Sequence, residues 1–352
     1  MNILFVMKHR GNAGNTHAVA DYMRVGERYG HRIAMYGEKL PWLPELDFST
    51  DIDAFDKVVY LFESELYRVN KLQEVALLGR FARADRLIFD MDGMYNPLIH
   101  LDNYDRNHSH QWERDQWIEF YDTLADKVMK PTIAAPTAPN VVPLVFYGYD
   151  PSLEMAREDA PEKVYDILHV GHNWWRWKEI GGEVLPALEP VRERIGEIGF
   201  IGLWWDKPPV EGPEAGPWQA FASDPAVVDR MRIKITDAVM YNEVVRTMSS
   251  ARINIFTQRP VLHHLRHLTL KYFEIFYADT IPLLMLDADH AAAVYGPAAR
   301  ELVLPGRVQA KVLDALERPD YYRSLVEDVR RHLAAHHSYE RRIEELVAAI
   351  GH

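Results

Sequence analysis

The sequence contains no cysteine. Disulfides, thiolate nucleophiles, cysteine-ligated zinc and iron–sulfur clusters are therefore excluded. No apolar run is long enough to span a bilayer. The opening residues MNILFVMKHR form too short an apolar run for a signal peptide, and no small-residue cleavage site follows them. These absences predict a cytoplasmic protein without a membrane span.

Positive charge is also scarce. The sequence contains 40 Lys and Arg residues and 52 Asp and Glu residues, which gives a formal net charge of -12. A large nucleic-acid footprint needs clustered Lys and Arg, so nucleic acid is not an expected partner. One basic, histidine-rich stretch, from Arg259 to Lys271, stands out against this background. In an acidic protein such a stretch indicates a small anionic ligand.

The length and the element pattern predict two domains. At roughly 150 residues per domain, 352 residues suffice for two. Apolar runs alternate with helical periodicity in both halves, which predicts α/β domains, each a doubly wound parallel sheet with helices on both faces. We expect an N-terminal domain over 1–150, a linker over 151–163, a C-terminal domain over 164–319 and a C-terminal helix over 320–352. Two such domains would face each other across a cleft, where ligands bind at the carboxyl ends of the strands.

The segment Leu268–Asp289 carries the clearest candidate site. It is predicted to form an amphipathic helix, a polar break and a buried strand, Ile281–Leu286. Lys271 and Glu274 are three residues apart and lie on one face of that helix, close to Thr269. Such a cation and carboxylate can bind a phosphate and a sugar hydroxyl together. The alternative is an ordinary surface ion pair in a β–α–β unit.

Two further stretches of the second half predict ligand contacts. The strand Tyr165–Val170 runs into Gly171 and His172, where a diphosphate can approach backbone amides, and Arg176 follows within reach of it. Tyr241 can stack on a nucleobase, and Asn242 can cap the next helix. Core packing of the neighbouring tryptophans and an ordinary capped helix are the alternative explanations.

The first half contains candidate residues for binding a second substrate and for catalysis. Gly11, Asn12, Gly14 and His17 follow the first strand, but their spacing is not GxGxxG, so the dinucleotide fingerprint is not met. We predict that this loop binds the acceptor, the substrate that receives a transferred group. The alternative is an ordinary turn in which Asn15 or Thr16 caps the first helix. Asp92 and His108 are candidate general bases, provided that their segments line the cleft.

Asp90 belongs to a motif that suggests a second enzyme class. The stretch Ile88–Gly93 matches the hhhDxDG nucleophile motif of haloacid-dehalogenase-type phosphatases, in which the first Asp attacks phosphorus. In those enzymes the motif lies near the start of the fold, whereas here several α/β units precede it. No paired-acid metal motif follows, and no metal ligand is predicted anywhere in the chain.

Taken together, the second half resembles the donor-binding domain of GT-B glycosyltransferases, in particular their group 1 and CgeB-like branch. The residues that carry the resemblance are Gly171, Arg176, the stretch Tyr241–Ser250, Lys271–Glu274 and Ala278–Leu284, in that order. The stretch from Thr269 to Glu274 is also similar to the phage DNA β-glucosyltransferases. The resemblance implies two Rossmann-like domains and transfer of a sugar from a nucleoside-diphosphate sugar, with UDP-sugars favoured, to a hydroxyl or amine acceptor.

The resemblance also implies roles for individual residues. Glu274 would bind the donor ribose, Arg176 and Lys271 would neutralise the diphosphate, and Thr269 and Leu270 would offer backbone amides to it. No tightly bound cofactor is implied, and magnesium would at most stimulate the reaction. His267 takes the place of a glutamate found in retaining members, so a non-catalytic nucleotide-sugar binding protein stays an alternative, as does a DNA glucosyltransferase.

Overall fold

The computed structural model describes residues 1–7, 14–62, 76–96, 114–136, 138–210 and 219–351. Within these ranges the chain forms two parallel sheets, one in each half. No helix of the described ranges is long and apolar enough to cross a membrane.

The first sheet contains seven strands in the described part of the chain, in the order β3-β2-β1-β4-β5-β6-β7, and its paired strands all run parallel. Its central strands are buried on both faces, which explains why they are almost continuous apolar runs in the sequence. The strands are Asn2–Val6 (β1), Arg32–Tyr36 (β2), Phe48–Ser49 (β3), Lys57–Phe62 (β4), Arg86–Asp90 (β5), Val128–Lys130 (β6) and Val141–Pro143 (β7).

The second sheet contains five parallel strands among the described residues, in the order β10-β9-β8-β11-β12. Chain order reverses between β8 and β11, as it does between β1 and β4 in the first sheet, and such switch points are where open α/β sheets bind ligands. The strands are Tyr165–Val170 (β8), Ile198–Ile201 (β9), Ile233–Thr236 (β10), Ala251–Phe256 (β11) and Ile281–Leu284 (β12).

Helices connect the strands and cover the sheets. In the described ranges the α-helices are Gly14–Arg28 (α1), Arg114–Leu124 (α2), Trp177–Glu179 (α3), Leu185–Leu188 (α4), Pro225–Arg230 (α5), Val244–Met248 (α6), Pro260–His264 (α7), Lys271–Glu274 (α8), Ala288–Tyr295 (α9), Val308–Glu317 (α10), Pro319–His336 (α11) and Tyr339–Gly351 (α12). A π-helical turn, Ile180–Val184, joins α3 to α4.

Two details of the first half differ from the sequence-based expectation. The sequence pattern predicts a long helix over 111–129 and a strand over 132–135. In the structure the helix ends at Leu124 in its described part, and the strand lies earlier, at Val128–Lys130. Lys130 explains the difference, because it places a cation in the buried strand, where it is only 2% exposed. A charged residue interrupts the apolar run by which a buried strand is found in a sequence.

The C-terminal segment is two helices, α11 and α12, rather than one. The break at Ser338 coincides with a short parallel bridge from this residue to Tyr149. Helix α11 packs on the second sheet and its helices, whereas α12 packs on α1 beside the first sheet. The segment therefore crosses back from the C-terminal to the N-terminal half, next to the stretch 151–163 predicted as the linker. The domain bounds at 150, 163 and 319 remain predictions.

Candidate functional site

A cavity of about 420 Å³ lies between the carboxyl edges of the two sheets. The first half contributes residues that follow β1, β5 and β6, and the second half contributes residues that follow β8, β9, β10 and β11. The predicted site residues that line the cavity are Gly14, Asp92, Gly171, His172, Arg176, Tyr241, Thr269, Leu270, Lys271 and Glu274.

Two glycines at neighbouring strand ends shape the wall of the cavity. Gly171 follows β8 with φ +154°, and Gly202 follows β9 with φ +149°. A Cβ atom on Gly202 would lie 2.2 Å from the carbonyl oxygen of Gly171. The two backbones can therefore approach each other only because this residue has no side chain. The indole N–H of Trp205 donates to the same carbonyl at 2.7 Å and fixes the turn.

Asn173 holds the loops behind this wall, a role that sequence reasoning missed. Its side chain is fully buried. Its amide nitrogen donates to Ser223 Oγ at 2.9 Å and to Phe221 O at 3.0 Å, and its oxygen accepts from the N–H of Trp177 at 3.0 Å. One amide thus joins the loop after β8 to the segment near 221–223 and to the start of α3. Its position directly after Gly171 and His172 was the only signal available in the sequence.

His172 and Arg176 lie on the loop between Gly171 and α3. The backbone N–H of Leu203 donates to His172 Nδ1 at 3.1 Å, so this nitrogen is an acceptor and the ring is the neutral Nε2–H tautomer. Burial, together with the cations Arg176 and Lys271, lowers the pKa of His172 to about 4. Arg176 donates to the carbonyl of His172 at 2.7 Å. Burial and the nearby Arg259 lower the pKa of Arg176 to about 10, so it remains charged at neutral pH.

Lys271 and Glu274 lie beneath the Gly171 turn, as a pair on the short helix α8. The Lys271 ammonium donates to the carbonyl of Val170 and is 3.8 Å from Glu274 Oε2. Burial lowers the pKa of Lys271 and raises the pKa of Glu274, and each partner partly offsets the effect on the other. The cavity therefore presents a cation and a carboxylate that are both poorly solvated.

Asp92 reaches the cavity from the first half, at the turn that follows β5. Its Oδ1 atom is 3.4 Å from Nη1 of Arg259, which follows β11 in the second half. The guanidinium of Arg259 also lies 4.4 Å from the ring centroid of Trp174. Arg259 was recognised in the sequence only as part of a basic stretch, because its position opposite Asp92 depends on how the two halves pack.

His17 and Asn242 do not line this cavity. The rings of His17 and Tyr241 are stacked, with centroids 4.0 Å apart and planes 7° apart. His17 lines a separate groove of about 1000 Å³ along α1, and Tyr241 lines both this groove and the cavity. Asn242 is exposed. Gly11, Asn12 and His108 lie outside the described residues.

Asp90 and His267 are both fully buried and outside the cavity. Asp90 accepts from the backbone N–H groups of Met94 and Tyr95, at 2.9 and 3.0 Å, and from the hydroxyl of Tyr121 at 3.0 Å. These bonds give Asp90 a structural role in the turn after β5, and they leave no access for a phosphate ester. His267 lies beside Gly93 of the same turn, and it is not among the residues that line the cavity.

The described residues contain no group of three or more His, Asp or Glu side chains arranged to hold a metal ion. The carboxylates among the described lining residues, Asp92 and Glu274, lie on opposite halves of the chain, and each is near a cation. The arrangement suits an anionic ligand that also offers hydroxyl groups.

One family model and several solved structures are similar to this chain. Residues 186–348 match the family model described as glycosyl transferase-like. None of the curated protein sequences compared with the chain matches it. The predicted glycosyltransferase resemblance is thus confirmed for most of the second half.

Solved structures with the same fold align with nearly the whole chain. The T4 phage β-glucosyltransferase bound to UDP-glucose aligns with a TM-score of 0.60 at 11% identity, over 99% of each chain. The Anabaena protein HepE bound to UDP has a TM-score of 0.60 at 9% identity, over 100% of each chain. An α-glucosyltransferase bound to UDP and DNA also has a TM-score of 0.60, at 11% identity, over 100% of this chain and 99% of that one. The predicted fold, two Rossmann-like domains facing across a cleft, is confirmed.

Proposed function

We propose that this chain, whose residues 186–348 form a glycosyl transferase-like domain, transfers a sugar from a UDP-sugar to a hydroxyl or amine acceptor. The observation that carries the proposal is the pair of half-buried Lys271 and buried Glu274 beneath the Gly171 turn, at the switch point of the second sheet. Three similar structures hold UDP or UDP-glucose, which favours uridine over other bases.

The proposed reaction uses residues from both halves of the chain. Lys271 and Arg176 bind the diphosphate, and Glu274 accepts hydrogen bonds from the ribose. The acceptor oxygen or nitrogen attacks the anomeric carbon of the sugar, while the bond from that carbon to the β-phosphate oxygen breaks. The electron pair leaves with UDP, where the two cations stabilise the developing charge. The acceptor proton passes to the Asp92 carboxylate.

Replacement of Lys271 tests the donor site. We expect wild-type protein to bind UDP in calorimetry more tightly than GDP, dTDP, ADP or CMP. Lys271→Met should weaken UDP binding by roughly 10- to 100-fold, because a charge-assisted contact contributes about 1.5–3 kcal/mol. The matched control is Arg246→Gln, which removes an exposed cation of the same half that does not line the cavity.

Equal UDP affinity in Lys271→Met and wild type would contradict the site assignment. Absence of UDP binding by the wild type would contradict the proposed function as a whole. Donor hydrolysis in the absence of an acceptor then separates a transferase from a nucleotide-sugar binding protein that performs no chemistry.

The metal requirement needs its own measurement. One similar structure holds UDP together with Mn²⁺. We propose that a divalent metal stimulates the reaction without being essential, because three cationic side chains already line the described part of the cavity. Titration of UDP with EDTA, with Mg²⁺ and with Mn²⁺ would measure the contribution of the metal.

A DNA acceptor is the second candidate, because one similar structure is that of a DNA-modifying β-glucosyltransferase and another contains DNA. The net charge of -12 favours a small acceptor instead. Duplex binding that weakens steeply with salt would favour the DNA candidate.

A further inference from the structure

His169 is a buried histidine of β8, two residues before Gly171, and the proposed reaction leaves it without a role. Its side chain is only 1% exposed, and it is not among the residues that line the cavity. Its ring meets two aromatic rings edge to face, with centroids 5.2 Å from Trp205 and 6.4 Å from Phe200. A polar ring in such apolar surroundings costs free energy unless its nitrogen atoms find hydrogen-bond partners.

The surroundings of His169 fix its tautomer and its charge. Nδ1 lies 2.9 Å from the carbonyl oxygen of Ile255, and because a carbonyl oxygen can only accept, Nδ1 carries the hydrogen. Burial, together with the cations Arg176 and Lys271, holds the pKa of His169 well below its usual value, so the ring is neutral at pH 7. Nε2 therefore presents a lone pair and can only accept a hydrogen bond.

This acceptor lies close to the ammonium of Lys271. A Cβ atom at position 171 would be 3.2 Å from His169 Nε2 and 3.5 Å from Lys271 Nζ, so the two nitrogen atoms approach the same point from two sides. In the part of the chain that the structure describes, Nε2 is buried and accepts no hydrogen bond. The ammonium donates to the carbonyl of Val170 and lies 3.8 Å from Glu274 Oε2. Gly171, which has no side chain, leaves the space between Nε2 and Nζ open to a direct contact.

We propose that His169 is a positioning residue of the donor site, whose Nε2 accepts a hydrogen bond from the Lys271 ammonium when a diphosphate binds. The inference rests on the proposed function, since it assumes a diphosphate ligand in this cavity. An ammonium group has three N–H donors. In the donor complex one of them binds the Val170 carbonyl, the second binds His169 Nε2 and the third binds the diphosphate. The Glu274 carboxylate is then left to the ribose.

An uncharged acceptor suits this position better than a second carboxylate would. A carboxylate beside Lys271 would attract the ammonium and compete with the diphosphate for its charge. A neutral imidazole stabilises the ammonium through a hydrogen bond and leaves the positive charge to the ligand. This support is useful because Lys271 is half-buried and burial lowers the pKa of its ammonium.

Two amide variants separate the roles of the two ring nitrogens. The amide nitrogen of Asn can take the place of Nδ1, so His169→Asn keeps the bond to Ile255 and removes the acceptor. Gln is longer and can bring its amide oxygen near the place of Nε2, so His169→Gln restores an acceptor. In calorimetry with UDP at pH 7, we expect His169→Asn to weaken binding about fivefold to tenfold, and His169→Gln less than about threefold. The opposite order would show that only the bond to Ile255 matters and would refute the inference.

A double-mutant cycle with Lys271→Met tests whether the two residues act together. In the Lys271→Met background, His169→Asn should change UDP affinity less than about twofold, because the donor of the proposed hydrogen bond is gone. An equal loss of affinity in both backgrounds would refute the inference. If His169→Asn does not fold, His169→Phe replaces it in the same cycle, since Phe fills the space between the aromatic rings and also lacks an acceptor. Wild-type UDP affinity in His169→Phe would likewise refute the inference.

The pH dependence of UDP binding gives a readout that a purely structural role would not move. UDP affinity should fall at alkaline pH as Lys271 loses its proton, and removal of the acceptor lowers the pKa of the ammonium. The fall should therefore begin at lower pH in His169→Asn than in wild type. The other titratable groups near Lys271 are Glu274, Arg176 and His172, and they are the same in both proteins, as is the ionisation of UDP. Coincident pH profiles would contradict the proposed hydrogen bond.

His337→Asn is the matched control. His337 is also buried, and its Nδ1 accepts no hydrogen bond from the described residues, but it does not line the cavity. This variant should bind UDP as wild type does. Failure of wild type to bind UDP would refute the proposed function, and the inference with it. UDP binding by wild type with unchanged affinity in His169→Asn would refute the inference alone.

Discussion

At the scale of single residues, the cavity contains charged side chains, and removing these side chains from water costs free energy. Glu274 is 6% exposed, and burial raises the pKa of its carboxyl, while Lys271 at 3.8 Å partly compensates. A carboxylate in this state gains from any ligand that donates hydrogen bonds to it. A sugar hydroxyl is such a donor. The residue is therefore expected to contribute more to ligand affinity than to stability.

Glu274→Gln gives the test of the ribose contact. We expect wild type to bind UDP about tenfold more tightly than 2′,3′-dideoxy-UDP, because the hydroxyl groups donate to a charged acceptor. In Glu274→Gln this preference should fall below about threefold, since the amide oxygen is a neutral acceptor. Calorimetry with both ligands measures the ratio. Exposed Glu243→Gln is the control, and an unchanged ratio in Glu274→Gln would exclude the ribose contact.

At the scale of elements, the site depends on how closely β8 and β9 approach each other at their carboxyl ends. The N–H of Gly171 donates to the carbonyl of Ile201 at 2.8 Å, and the N–H of Gly202 donates to the carbonyl of Thr236 at 3.1 Å. The sheet hydrogen bonds thus continue one residue beyond the strands, into the turns that form the cavity wall. A side chain at Gly202 would separate these turns.

Gly202→Ala should therefore destabilise the protein and impair ligand binding. A Cβ atom 2.2 Å from a backbone oxygen, on a residue with φ +149°, forces the strand ends apart. We expect the free energy of unfolding to fall by about 3 kcal/mol, from steric overlap and backbone strain together. Urea unfolding would measure it. The control is Gly182→Ala, where no atom lies within 4 Å and the change should stay within about 1 kcal/mol.

The elements themselves were largely predictable from the sequence. The apolar pattern predicts strands over Arg32–Tyr36, Lys57–Phe62, Tyr165–Val170 and Ile233–Thr236. These are the bounds of β2, β4, β8 and β10, because strands of a parallel sheet are buried on both faces and form uninterrupted apolar runs. β6 was misplaced, because buried Lys130 interrupts its run. The Lys271 and Glu274 pair was predictable because both residues lie on one short helix. The pair of Arg259 and Asp92 was not, since 167 residues separate them.

At the scale of the whole molecule, buried histidines make stability depend on pH. His169, His267, His290 and His337 are each at most 6% exposed. Burial lowers the pKa of His290 to about 4 and the pKa of His337 to about 3, and it also lowers the pKa values of His169 and His267. An unfolded chain titrates its histidines near 6.5, so it binds more protons than the folded chain between about pH 4 and 6.5.

The sign of this linkage means that acid destabilises the protein through its histidines. Replacing one of them, by His337→Gln, should reduce the dependence of the unfolding free energy on pH by about 1 kcal/mol per pH unit between pH 6 and 5. Urea unfolding at several pH values in this range gives the slope. The difference between variant and wild type cancels the opposite contribution of buried carboxyls such as Glu274 and Asp90, whose pKa values burial raises.

The exposed neighbour His336 provides the control for this measurement. His336→Gln makes the same substitution at an exposed side chain one residue away, so it measures the effect of the substitution itself on the slope. A slope in His337→Gln equal to that of wild type would show that His337 does not contribute to the pH dependence.

The sequence by itself determined the α/β class, most strand positions, the candidate Lys271 and Glu274 pair and the absence of thiol chemistry. Each of these is a local property, fixed by hydrophobic periodicity, by spacing along one element or by composition. Only the tertiary structure decided which strand ends meet across the cleft, that Gly202 must lack a side chain, that His17 stacks on Tyr241 and that Asp92 faces Arg259. Such contacts join distant parts of the chain, and the packing of two sheets, rather than any local preference, brings them together.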